Sequence, residues 1–152
     1  MKKITRYYVE LVKDKTALYD LESKRIRTPQ DGYKIIEEVF SLSSKPNEHF
    51  VMLCLNTKNE VIGAHTLHIG TINMSVVGVR DVFQSALLNN ASSIMLGHNH
   101  PSQDVTASPE DLKMTQRLTD AGRLMGVPVI DHVIVGESNF TSLREQYSDM
   151  FE

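Results

Sequence analysis

The chain has 152 residues, 41% of them hydrophobic and 23% charged, with a net charge of −3. That is enough for one domain with a proper core, and the acidic balance gives no global attraction to phosphate backbones, so nucleic acid is not an expected partner. No apolar run approaches the roughly 18 residues that span a bilayer, and the single cysteine excludes an internal disulfide or a multi-cysteine zinc site.

The first residues turn polar too soon after Met1 for a secretory signal, which makes the cytoplasm the default address. Residues 1–27 read as an N-terminal extension, in which Thr5–Val12 is a candidate edge strand: Tyr7, Val9 and Leu11 alternate with Tyr8, Glu10 and Val12. Lys24-Arg25-Ile26-Arg27 is a basic cluster of the size a solvated face usually carries. Thr28-Pro29-Gln30-Asp31 starts a helix whose apolar stripe is Ile35, Ile36, Val39 and Phe40. Ser41 to Asn47 breaks that helix and leads into the core. Phe50–Asn56 and Val61–Ile69 predict two strands around Thr57–Glu60, an antiparallel hairpin. Cys54 lies inside the first and reads as a buried structural thiol.

Arg80–Asn90 has Val82, Phe83, Ala86 and Leu87 at helical spacing, and Ile94-Met95-Leu96-Gly97 is a short buried strand. After a polar loop, Ser108-Pro109-Glu110-Asp111 opens a helix with Met114, Leu118, Ala121 and Met125 on its inner face, ended by Gly126. Val127–Val135 is a further strand and Phe140–Leu143 a last short one. Helices interspersed with strands in this way predict an α/β or α+β sandwich on a mixed sheet.

The chemistry concentrates in residues 98–111. His98 and His100 are two apart, so on an extended backbone their rings project from one face. Asp111 continues the interior stripe of the following helix, where an ionised carboxylate is unfavourable unless paired or bound to metal. Two imidazoles and a carboxylate suit zinc, with the fourth position left to water, and an open position is the mark of a catalytic site. The same residues also spell a good helix start, with Ser108 as cap, Pro109 in the first turn and an acid at the third position.

His98-x-His100-Pro101 followed by Ser108-x-x-Asp111 resembles the JAMM motif of the MPN-domain metalloproteases. With Asn99 and Ser102 included it looks like the bacterial RadC branch. Val79-Arg80-Asp81-Val82-Phe83 with Ala86, and Asp131-His132-Val133-Ile134-Val135-Gly136, resemble the same branch in the same order. The similarity runs from about Thr28 onward, which sets the domain at residues 28–150. It implies an MPN/JAMM, cytidine-deaminase-like fold: a mixed, mainly antiparallel sheet flanked by helices.

The resemblance implies a zinc metallopeptidase that hydrolyses a peptide or isopeptide amide bond through a zinc-activated water. Zinc (Zn2+) is held by His98, His100 and Asp111; a peptide or protein is the substrate. On the same basis Glu48 is the general base, although by composition alone it is a loop residue; Glu60, in the hairpin turn, is its nearest rival. Ser108 takes the role of donor to the oxyanion. Asp131 and His132 are candidates to orient a ligand from behind, with a buried pair that merely holds its strand as the equal alternative. His65 and His68, three apart in a strand, are expected on opposite faces, and His49 on the surface.

Three positions depart from the RadC-like loop, which usually has Gly where Gln103 stands and Pro near Val105 and Ala107. None is a ligand, so the departures bear on substrate fit. The helix–hairpin–helix region found ahead of this domain in longer relatives is not expected here. The competing function is a non-catalytic, metal-stabilised module that binds protein or DNA. A gluzincin is excluded by the lack of His-Glu-x-x-His, and a nucleobase deaminase by the lack of its His-x-Glu and Pro-Cys-x-x-Cys ligands.

Overall fold

Helix α1 (Pro29–Phe40) begins where the sequence places it. Thr28 accepts from the Asp31 N–H through its side chain, and the Asp31 carboxylate accepts from the Thr28 N–H, a complete capping box. In the computed structural model, which describes residues 1–72 and 76–152, strands β1 (His49–Leu55) and β2 (Val61–Ile69) form the hairpin. Helix α2 (Val79–Leu88), strand β3 (Ser93–Asn99), helix α3 (Pro109–Met125) and strand β4 (Val129–Val135) follow. Strand β5 (Phe140–Ser142) and the single-turn helix α4 (Leu143–Gln146) come last.

The strands form one sheet in the order β2-β1-β3-β4-β5. Only the β3–β4 pair is parallel, as a pair joined through the crossover helix α3 must be. Helix α1 covers one face, packing Ile35 and Ile36 with Val51, Leu53, Met95 and Val133. Helices α2 and α3 cover the other, where Phe50, Met52 and Leu96 meet Val82, Phe83, Met114 and Leu118. Residues of β1 and β3 thus alternate between two cores, and every residue of β3 is buried. A Cβ at Gly97 would stand 2.9 Å from Ile36 Cδ1, so the lack of one lets α1 lie close over β3. At the end of α3, Gly126 takes φ 72°, the left-handed value that a helix-ending glycine supplies.

Two expectations are corrected. Thr5–Val12 forms no strand and is exposed throughout. Its apolar residues fall on both faces of an extended chain, so no single face drives it onto the sheet. Among the described residues, the outer side of β2 is met at its start, by the Arg25–Glu60 bridge. His65 and His68 are not on opposite faces either. A bulge pairs Phe50 with His68 and Met52 with His65, and the extra residue restores both histidines to the side that α2 covers. There the His65 ring contacts the Asn89 amide just beyond α2.

Candidate metal centre

Strand β3 runs two residues further than its apolar core, because β4 on one side and β1 on the other keep pairing with it as far as His98. His98 is therefore a strand residue with no exposed surface, its ring tilted against Phe50. His100 follows one step beyond the strand, and Asp111 reaches the same point from the first turn of α3. Among the described residues this is the one group of three acidic, histidine or cysteine side chains able to hold a metal ion.

The two ring nitrogens and the two carboxylate oxygens of Asp111 close on one another. His98 Nε2 lies 3.0 Å from His100 Nε2 and 3.2 Å from Asp111 Oδ1, and His100 Nε2 lies 3.1 Å from Asp111 Oδ2. Ligand atoms bonded at about 2.0–2.1 Å to a tetrahedral ion stand about 3.3 Å apart. The spacing of this group is therefore compatible with such an ion.

The hydrogen bonds behind the rings determine where their protons sit. Thr115 Oγ1 donates to the Asp111 backbone carbonyl at 2.7 Å, so toward His132 Nδ1, 2.6 Å away, the hydroxyl is left to accept. His132 then carries its proton on Nδ1. Its bare Nε2 accepts from His98 Nδ1 at 2.7 Å. That leaves the lone pair of His98 Nε2 in the cluster. His100 is set more directly: Nδ1 donates to the Asp104 carbonyl at 2.6 Å, which in the neutral ring leaves the Nε2 lone pair facing the cluster. Both tautomers are those a metal ligand needs, each set by an acceptor on the far side of the ring.

The same groups pair by charge when His100 carries a second proton. Burial would raise the Asp111 carboxyl, but its close contact with the His100 and His98 rings outweighs it and holds it well below the usual range. The bond to Asp111 raises His100 against the effect of burial, and the nearby Glu48 charge contributes. Complete burial lowers His132 well below an ordinary histidine, the His98 ring reinforcing the shift, which keeps it neutral as the relay requires.

Glu48 precedes β1, partly buried, with Oε2 accepting from the Ile72 N–H at 3.0 Å. Ser108 caps α3 through its side chain: Oγ accepts from the Asp111 N–H at 3.1 Å, and its own N–H donates to Asp111 Oδ2 at 2.9 Å. The cap leaves the hydroxyl proton available to another acceptor. Asp131 lies apart from the cluster. Its carboxylate accepts from Ser142 Oγ and from the backbone N–H groups of His132 and Arg144, because neighbouring strand residues face opposite sides. Glu60 stays in the hairpin turn, bonded to Asn56. The sequence reading missed Thr115, whose signal was a polar residue four places after Asp111 on a buried stripe, and the Asp104 carbonyl, which leaves no mark in a sequence.

The departures at Gln103 and Val105 also acquire a setting. Gln103 has φ 69°, where glycine is at ease and other residues are strained. Its side chain accepts from the Glu137 N–H at 2.6 Å and donates to the Ser43 carbonyl at 3.5 Å. Val105 packs near Gly136. Both residues tie the loop after His100 to the β4–β5 turn.

The model of the RadC-like JAB domain family matches residues 26–148. Among curated proteins, the chain is 46% identical over 121 residues to a UPF0758 protein of Geobacillus thermodenitrificans, covering 80% of this chain and 53% of that one. A UPF0758 protein of Bacillus pumilus is 44% identical over the same length and coverage. One of Halalkalibacterium halodurans is 41% identical over 138 residues, 91% of this chain and 59% of the relative. The chain thus spans little more than half the length of these relatives.

Proposed function

This chain belongs to the RadC-like JAB domain family, and on that footing we propose that it is a zinc-dependent hydrolase of amide bonds in peptide or isopeptide linkage. The observation that carries the reading is the pair of Nε2 atoms, 3.0 Å apart, with the two oxygens of the Asp111 carboxylate 3.2 Å and 3.1 Å from them. Two nitrogens and one carboxylate oxygen are the donor set of a catalytic zinc site. Zinc bound there supplies Lewis-acid polarisation of the scissile carbonyl and acidifies a water.

The chain's own residues supply the rest. The Glu48 carboxylate takes the proton of the attacking water and returns it to the leaving amine. The Ser108 hydroxyl, its oxygen already accepting from the Asp111 N–H, donates a hydrogen bond to the oxygen that develops negative charge. His98 and His100 hold their Nδ1 protons against His132 and Asp104, so neither ring competes for the water's proton. Peptide or protein is the substrate class.

The test is Glu48→Gln, which keeps volume and hydrogen bonding while removing the base. Zinc content should be unchanged and turnover on a peptide found by library screening should fall by about 10²–10⁴-fold. Turnover near wild type would overturn the role of Glu48. A zinc-loaded protein that cleaves nothing in the library would favour a metal-stabilised binding module instead.

A further inference from the structure

We infer that Asn99, the residue between the two histidines of the cluster, is the positioning residue that fixes Glu48 relative to the metal. The inference rests on the reading of Glu48 as the base.

Asn99 is 1% exposed at the end of β3. The antiparallel ladder between β1 and β3 runs to the pair Phe50–His98, and the next pair in register would be His49 and Asn99. At that step a side chain replaces the backbone. Asn99 Oδ1 accepts from the His49 N–H at 2.7 Å, while Nδ2 donates to the Asn47 carbonyl at 3.0 Å and the Lys45 carbonyl at 3.4 Å. One amide group thus ties down residues 45, 47 and 49, and Glu48 stands between two of the ties.

The requirement is specific to asparagine. A carboxamide of this length offers one acceptor and two donors; aspartate accepts without donating, and leucine, of similar shape, does neither. Removing the donors leaves carbonyls of the loop unsatisfied, an expensive state where burial excludes water.

The geometry also explains why this residue sits beside a ligand. His98 and Asn99 are consecutive in a strand, so they project to opposite faces. One stretch of β3 therefore holds a metal ligand on one side and the loop of the base on the other. From the far side Glu48 is held by Ile72 N–H at its carboxylate and by Gly70 N–H at its carbonyl. Asn99 supplies the tie to the strand that carries the metal.

The experiment compares Asn99→Leu and Asn99→Asp with wild type in the zinc-loaded protein. Both should keep full zinc, since the ligands are untouched. On a library-selected peptide, kcat should fall by about 10²-fold, the scale of a base displaced by about 1 Å, with KM little changed. In a Glu48→Gln background Asn99→Leu should lower kcat hardly further, because both changes remove the same base. An equal loss in both backgrounds would mean a merely structural role and overturn the inference.

A second readout needs no substrate. With Co(II) in the site, the pseudocontact NMR shifts of the Glu48 side-chain protons report their distance from the ion. They should shrink in Asn99→Leu, and unchanged shifts would overturn the inference. This arm decides the matter even if the wild type proves inactive, in which case the hydrolase reading fails separately. Should neither variant fold, amide exchange in the wild type remains. The His49 N–H should exchange as slowly as those of Phe50–Leu55, and rapid exchange would rule out the tether.

Discussion

The N-termini of α1 and α3 are built from the same unit, Thr28-Pro29-Gln30-Asp31 in one and Ser108-Pro109-Glu110-Asp111 in the other. In both, the hydroxyl accepts from the N–H of the acid and the acid accepts from the N–H of the cap. At α1, Asp31 Oδ2 spends itself on two backbone groups, the N–H of Arg27 and of Thr28. At α3, Asp111 is 5% exposed and its two oxygens stand 3.2 Å and 3.1 Å from two imidazoles. A capping box is a device that aims a carboxylate. What lies in front of the carboxylate decides whether it is a helix start or a metal ligand, and in α3 that is the end of a strand bearing His98 and His100.

The largest contrast should be in metal content. Asp111→Asn preserves the shape of the cap but removes the charge, and His98→Ala with His100→Ala removes both nitrogens. Elemental analysis should show about one zinc per chain in wild type and in Asp31→Asn. The Asp111 variant should lose most of it and the double histidine variant all of it. Full zinc in the double histidine variant would break the comparison at its root.

The serine and threonine should separate next. Ser108→Ala and Thr28→Ala each remove a cap and should each cost about 0.5–2 kcal/mol of stability. Only Ser108→Ala should also lower kcat, by about 10²–10³-fold on protein confirmed folded at the assay temperature. If the loss of rate follows only the unfolded fraction, the two hydroxyls are equivalent caps.

The smallest effect is one of acidity. Backbone hydrogen bonds, first that from Arg27, hold the Asp31 carboxyl below its ordinary value against a weak opposing effect of burial. A carboxyl lowered in the folded state binds fewer protons than in the unfolded chain, so its contribution is present above about pH 3.9 and fades as the pH falls through the folded value. The Tm difference between wild type and Asp31→Asn should therefore be constant above about pH 5 and shrink below about pH 4. The exposed setting keeps the difference to about 1–2 °C. A difference that persists undiminished at low pH would show that the charge of Asp31 is not what matters.

Much of this was legible in the residues themselves. Apolar spacing located the three main helices and the strands around the site, and the Thr28 and Ser108 caps marked helix starts to the residue. The His98, His100 and Asp111 cluster could be read because two periodicities, that of a strand and that of a helix, aim three side chains at one point. What could not be read depends on neighbours distant in sequence. The bulge that turns His68 to the side of His65 is a property of how β2 registers against β1. The alternating run at Thr5–Val12 has strand-like composition, yet no sheet edge captures it. Asp131 and His132 looked like a pair because they are adjacent, and their alternation along β4 sends only His132 to the metal cluster. The strain at Gln103 showed only as a departure from a family pattern, and its reason is a positive φ together with a hydrogen bond to Glu137.

The parallel pairing of β3 and β4 through α3 has a consequence for how the proposed activity would be lost. All three candidate ligands, the Thr115–His132 relay, the Asp104 carbonyl and Ser108 lie within residues 93–135, one continuous strand–helix–strand unit. Glu48 comes from outside that unit and reaches it only through pairing between segments far apart in the chain. On the proposed function, retention of the ion and turnover would be inherited separately. A lesion confined to the approach to β1 could leave a fully loaded but inert domain, a short mutational route from an enzyme to a metal-stabilised scaffold that needs no change in any ligand.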